Sequence, residues 1–256
     1  MKAANFNLQS YFSRIGFEAP ALADFATLKS MMRRQLCSVP FENLDVQAGR
    51  VVSLVPEEIV SKIVERRRGG YCYEVNGIFA MALEEIGIPY RLVAARPMTY
   101  PVRRPKTHMA IVATIDGAQW LCDLGFGSFG IREPIDLEWI DREIRQGIDT
   151  FRLTMVSEYD YLLQSQTDSA WKNLYEFNLF PQEWVDFEPA NFMNSTHPDS
   201  IFVRNLIVVL QTESGKKVLT SYSMKTVSAE GTVEKKIAPE EIASLLEERF
   251  GLVARP

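Results

Sequence analysis

The apolar residues of this chain change their spacing once, near residue 89, and that change limits the folds open to it. Up to about Ile88 the pattern is mostly helical. "TLKSMMRRQL" puts Leu28, Met31, Met32 and Leu36 at helical spacing. "PEEIVSKIVERRR" predicts a helix with Pro56, Glu57 and Glu58 in its first turn and Arg66, Arg67 and Arg68 at its negative end. Gly69 and Gly70 stop it. The next helix carries Val75, Ile78, Phe79, Ala82 and Ile86 on one face and closes at Gly87. From Tyr90 onward short β-rich runs take over: "YRLVAAR", "HMAIVATI", "QWLCDL", "FRLTMV" and "YLLQS". "SIFVRNLIVVLQT", "KKVLTSYSM" and "TVEKKI" read as further strands, and "APEEIASLLEERF" as a final helix ending at Gly251. Helices, then a β region, then a small strand-plus-helix region give an expected α+β class.

The bulk numbers narrow the function classes. A length of 256 residues allows one large domain or two to three small ones packed together. A net charge of -5 argues against a general nucleic-acid binder, which carries a basic excess. No apolar run reaches the roughly 18 residues a membrane helix needs, and the first residues lack the apolar core of a secretory signal. Cys37, Cys72 and Cys122 are odd in number and widely spaced, which fits neither a disulfide framework nor a zinc set. The expectation is a reduced, cytoplasmic protein in which a thiol is free for chemistry.

Cys72 follows the Gly69-Gly70 break and begins a helix, where free N–H groups and the helix dipole stabilise an anion. The glycines let the chain turn sharply and let another group approach closely. Position alone leaves two readings open: a thiolate nucleophile, or a structural cysteine buried at a helix start. Cys37 and Cys122 read as core. A nucleophilic cysteine needs a base, and the chain has only His108 and His197. Asp116-Gly117 predicts a two-residue hairpin turn. With that loop Ile115 pairs with Ala118, Ala110 falls opposite Asp123, and His108 falls opposite Gly125. His108 and Asp123 then lie diagonally on one face, about 7–8 Å apart at the backbone. There Asp123 can fix the tautomer of His108. A three-residue loop would flip the parity and separate the two. The competing reading is a strand-end His and a strand-end Asp exposed to water. His197, in "NSTHPDS", reads as a surface or structural loop histidine.

With these residues in view, the sequence resembles the arylamine N-acetyltransferase family. "VPFENLDV" (39–46) resembles the block ahead of the nucleophile and "RRGGYCYEVN" (67–76) the nucleophile motif. "THMAIVA" (107–113) resembles the base strand, and "DLGFGS" (123–128) the aspartate block with its glycine-rich turn. "STHPDSIF" (195–202) and "LLEERFGL" (245–252) also fit, so the likeness spans nearly the whole chain. Two departures stand out: the β and lid regions look shorter than expected of bacterial members, and no histidine precedes "VPFENLD".

The resemblance implies a helical lobe (1–88) bearing the nucleophile, a β-barrel (89–190) bearing His and Asp, and an α/β lid (191–256). It implies acetyl-CoA-dependent N-acetylation of arylamines or arylhydrazines, with Cys72 as nucleophile, His108 as base and Asp123 as its orienter. Transfer would be ping-pong through an acetyl-Cys72 intermediate, with no metal. Phe41, Tyr71, Thr107, Phe126 and Phe202 are the candidate arylamine contacts. The N–H groups of Gly125, Gly127 and Gly130, and the side chains of Arg103, Arg104 and Lys106, are candidates for CoA phosphates. A plain tight turn and a solvated basic loop are the competing readings of these two groups. Glu42, Asn43 and Arg68 are expected to hold structure through buried hydrogen bonds. The partners expected are a small aromatic amine or hydrazine and CoA, not nucleic acid or membrane, with homo-oligomerisation left open. Rival readings are a cysteine hydrolase or transglutaminase-like enzyme, an amide synthase fed by a carrier-protein thioester, and a binding protein with the same fold.

Overall fold

A computed structural model of the chain describes residues 1–167 and 170–253. The last three residues of the expected lid segment therefore lie outside the described residues. The first part is helical: α1 (Leu8–Ile15), α2 (Phe25–Ser38), α3 (Leu44–Gln47), α4 (Pro56–Val60) and α5 (Cys72–Ile86), with a two-residue strand β1 (Phe41–Glu42) between α2 and α3. Leu28, Met31, Met32 and Leu36 form the buried face of α2. The α5 helix is not amphipathic: every residue from Cys72 to Leu83 is buried. It is the central helix of the core.

The "PEEIVSKIVERRR" helix is shorter than its pattern predicts. After α4 the chain widens into a π-turn over Ser61–Glu65, and Arg66–Arg68 lie beyond it, with Arg67 in the left-handed region at φ 53°. The cause is the buried Arg14, which donates to the carbonyls of Ile63 (2.8 Å), Ser38 (2.6 Å) and Arg68 (3.2 Å). The Ile63 carbonyl is one that a continuing helix would have used, and the Ser38 bond ties the break to α2.

Eight strands follow in one antiparallel sheet. They are β2 (Tyr90–Pro97), β3 (His108–Ile115), β4 (Ala118–Cys122), β5 (Ile135–Asp136), β6 (Ile144–Gln146), β7 (Asp149–Met155), β8 (Asp160–Thr167) and β9 (Ala170–Asn178). Their spatial order is β5-β4-β3-β2-β9-β8-β7-β6. The two end strands are short and, among the described residues, do not pair with each other. The expected β-barrel is thus a curled half-barrel.

Two helices, α6 (Glu188–Thr196) and α7 (Ile201–Arg204), lead into strands β10 (Ile207–Thr212), β11 (Gly215–Thr220), β12 (Ser223–Ser228) and β13 (Gly231–Lys236), and α8 (Ile242–Phe250) closes the described chain. "SIFVRNLIVVLQT" thus begins as a helical turn, and "KKVLTSYSM" spans two strands. The small sheet has the order β1-β10-β11-β12-β13. Its first strand comes from the segment 1–88, since Phe41 pairs with Val209 and Glu42 with Val208. One continuous apolar core runs from Tyr11 through α5 and Phe177 to Val209. Among the described residues no helix is long and apolar enough to cross a membrane.

Neither Gly69 nor Gly70 has a positive φ. They serve close approach instead of a left-handed turn. A Cβ on Gly69 would sit 1.9 Å from the Pro40 carbonyl oxygen, and one on Gly70 would sit 2.7 Å from the Glu74 carboxylate. This lets Gly70 bridge to β1, with Glu42 N–H donating to the Gly70 carbonyl at 3.0 Å. Gly69→Ala is expected to cost about 3 kcal/mol of unfolding free energy in urea. Gly87→Ala, whose added Cβ meets nothing within 4 Å, is expected to cost about 1 kcal/mol from backbone strain alone. Equal losses would refute the close-approach account.

Candidate active site

The β3–β4 hairpin sets the first half of the site. Asp116 (φ 49°) and Gly117 (φ 82°) are both left-handed, as a type I′ turn requires. Ile115 pairs with Ala118, and the ladder runs back in step to Ile111 opposite Cys122. Asp123 follows at the strand end, on the parity the two-residue loop predicts. Its carboxylate Oδ2 lies 2.7 Å from His108 Nε2, with both residues almost fully buried.

The second half comes from α5. Cys72 is its first residue, and Asn76 stands one turn further on. Asn76 Nδ2 donates to the Met109 carbonyl (2.7 Å) and to Asp123 Oδ1 (3.2 Å), while its Oδ1 accepts from Leu124 N–H (2.9 Å). Gly125 N–H also donates to Asp123 Oδ1, at 2.9 Å. A Cβ on Gly125 would meet Cys72 Cα at 2.5 Å, so only glycine lets this loop seat against the helix start. Asn76 did not emerge from the sequence reading. Its signal was the i, i+4 spacing from Cys72 on a buried helix face.

Burial alone would push the His108 imidazole down. The Asp123 carboxylate, helped by the Cys72 sulfur beside the ring, outweighs it and holds His108 up at about 10. Burial likewise opposes ionisation of Asp123, but His108, Gly125 N–H and Asn76 hold its carboxyl below the usual range. Two aromatic rings flank the imidazole, Phe126 at 5.0 Å and Tyr175 at 5.1 Å between centroids. Tyr175, from β9, is fully buried, and nothing in its local sequence pattern marked it. Burial drives the Cys122 thiol far above its ordinary value, and that of Cys37 upward too. His197 is exposed at the end of α6, its Nδ1 accepting from Asp199 N–H at 3.1 Å.

Comparison with known proteins shows the family. A family model described as N-acetyltransferase matches residues 24–255. The arylamine N-acetyltransferase of Escherichia coli K12 is 31% identical over 258 residues, covering 96% of this chain and 88% of the relative. That of Mycolicibacterium smegmatis is 35% identical, covering 82% and 78%. This chain belongs to the arylamine N-acetyltransferase family. Solved structures of the family superpose closely. The Salmonella typhimurium enzyme gives a TM-score of 0.92 at 27% identity, covering 97% of this chain and 92% of that one. The Mycobacterium marinum enzyme in complex with CoA gives 0.89 at 29% identity, covering 96% and 92%.

In this family member a cavity of about 180 Å³ opens onto Cys72 and His108. Phe41, Thr107, Phe126 and Phe202 line it, as do Gly125 and Gly127. So do Tyr100, Phe129 and Ile201, which the sequence reading passed over. Tyr71 does not: its ring is fully buried and its hydroxyl meets Ser195 at 3.1 Å. The Thr107 carbonyl accepts from Tyr73 Oη and Asn194 Nδ2, each at 2.9 Å, which fixes the strand just before His108. Arg103 pairs with Glu176 at 3.1 Å, and the Arg104 guanidinium lies 4.8 Å over the Tyr100 ring, at the cavity edge. Lys106 and Gly130 are not part of the wall. Glu42, Asn43 and Arg68 are held in buried or half-buried hydrogen bonds and ion pairs.

The His108–Asp123 pair carries a definite pH signature. The His108 contribution to stability is complete below its ordinary value of 6.5 and is lost as pH rises through about 10. The Asp123 contribution is present above its ordinary 3.8 and is lost as pH falls through the depressed folded value. The gap in melting temperature between the wild type and Asp123→Asn is therefore expected to peak at about pH 5–6 and to narrow towards pH 10. A gap that is the same at every pH would contradict the pairing.

Proposed function

We propose that the protein transfers an acetyl group from acetyl-CoA to an arylamine or arylhydrazine through an acetyl-Cys72 intermediate. The observation that carries this reading is the meeting of Cys72, the His108–Asp123 pair and an aromatic-walled cavity. The CoA complex of the M. marinum relative supports CoA as the acyl carrier.

In the first half-reaction the Cys72 sulfur attacks the thioester carbonyl, forming a new carbon–sulfur bond as the bond to CoA breaks. The imidazolium of His108 supplies the proton that the departing CoA thiolate takes up. In the second, the amine nitrogen attacks the acetyl-Cys72 carbonyl, His108 accepts the amine proton, and the Cys72 thiolate leaves. At the start of α5, Glu74 and Val75 N–H already donate to the Tyr71 carbonyl, so the Cys72 N–H is the candidate donor to the developing oxyanion. Phe126, Phe202 and Phe41 stack on the aromatic acceptor. Thr107 and Tyr71 act from behind, as a backbone anchor and a packing residue. The turn at Gly127 is held by Lys216 Nζ donating to the Ser128 carbonyl at 2.6 Å, so its N–H groups are fixed for contact with CoA. Arg103, Arg104 and Lys106 meet the CoA phosphates, with Arg104 packed over the cavity residue Tyr100, and Gly130 closes the glycine-rich turn. The segments 1–88, 89–190 and 191–256 then supply nucleophile, base and cover to one site. Free thiols suit a reducing, cytoplasmic setting.

Intact-protein mass spectrometry after mixing with acetyl-CoA alone tests the reading. One added acetyl group, mapped to Cys72 and discharged by an arylamine, is expected. Cys72→Ala should show no adduct and lose at least about a thousandfold in turnover. No adduct on the wild type, or an adduct on Cys37 or Cys122, would overturn it.

A further inference from the structure

Behind the first turn of α5 lies a buried charge cluster that the acyl-transfer chemistry does not use. Glu74, two residues after Cys72 and 2% exposed, is at its centre. Its Oε2 accepts from Tyr71 N–H at 3.0 Å, and its Oε1 meets Lys62 Nζ at 2.6 Å. Lys62, from the π-turn, also meets Asp45 of α3 at 2.6 Å and Glu42 of β1 at 3.9 Å. Arg68 pairs with Glu42 at 2.7 Å and lies 3.6 Å from Asp45, which Arg50 meets at the rim. Three carboxylates therefore face Lys62 and Arg68, with Arg50 as a third cation at the exposed rim. A cavity of about 300 Å³, lined by Glu74 and Lys62, opens past Arg50, Glu58 and Arg66 and gives protons a route in.

We propose that Glu74 is a proton-linked positioning residue. Its ionised carboxylate ties the helix start to Lys62 and so fixes the turn that presents Cys72; one proton taken up by the cluster at Glu74 loosens that tie. The space for the carboxylate is itself built in, because any side chain at Gly70 would overlap it. Burial, with Glu42 adding and Lys62 opposing, pushes the Glu74 carboxyl up to about 7. The cluster thus changes charge in the neutral range.

The inference rests on Cys72 being the nucleophile, but its test does not need acetyl-CoA. The rate at which iodoacetamide alkylates Cys72, resolved by peptide mass spectrometry, is followed with pH in the wild type and in Glu74→Gln. The amide can still accept the Tyr71 N–H but cannot ionise. The wild type is expected to outpace the variant about tenfold at pH 8 and to match it within about twofold at pH 6. A merely structural role would lower the variant by one factor at every pH, and that result overturns the proposal. Should the variant not fold, the wild type decides alone. Carbon NMR of carboxyl-labelled glutamate must show one group titrating near neutrality in step with the Cys72 rate. No such titration between about pH 6 and pH 8 also overturns it.

Discussion

The first turn of α5 and the loop after β4 meet with no side chain between them, and the site exists because of that contact. Gly125 lies against the Cys72 backbone so closely that a Cβ would come within 2.5 Å. Asn76 fastens the seam with bonds to Met109, Asp123 and Leu124. A helix delivers sulfur to the end where N–H groups are free, and a hairpin delivers an imidazole already held by a carboxylate. Neither half is a site alone. Their junction is polar and buried, so each bond across it matters more than a surface bond would.

The surrounding structure holds the two halves at that distance. Gly69 admits the Pro40 carbonyl, which lets β1 lie beside the loop before Cys72 and join the small sheet. Tyr73 and Asn194 both donate to the Thr107 carbonyl, tying α5 and α6 to the residue before His108. Phe126 and Tyr175 pack on the His108 ring and keep water from it. The charged cluster at Lys62 anchors α5 from the other side, so the helix start is held on both flanks. Buried charge of this kind adds little net stability, and its value lies in orientation.

Much of this was legible in the residues, where the controlling interactions are local. The Asp116-Gly117 turn fixed the hairpin register, and with it the parity that brings His108 and Asp123 together. The family motifs pointed to Cys72, His108 and Asp123, which the fold brings to one place, and to several residues of the cavity wall. What escaped the sequence depended on distant partners. The strand β1 pairs with residues more than 160 positions away, and no period betrays a two-residue strand. The "PEEIVSKIVERRR" helix stops early where Arg14 takes the Ile63 carbonyl and those of the chain just beyond it, a contact no propensity encodes. Tyr71 sits beside Cys72 in sequence, yet its side chain turns into the core towards α6. Sequence adjacency to a motif does not tell which way a side chain points when its helix is buried all round.

The central claim is that the Cys72 sulfur shares one electrostatic environment with the His108–Asp123 pair. Nitrogen NMR of the imidazoles in the wild type and in Cys72→Ala tests it most directly. At about pH 7.5 the wild-type His108 ring should be an imidazolium with both nitrogens protonated, and removing the sulfur should lower the pH at which it titrates. A neutral ring titrating at about 6.5 and indifferent to residue 72 would contradict the account.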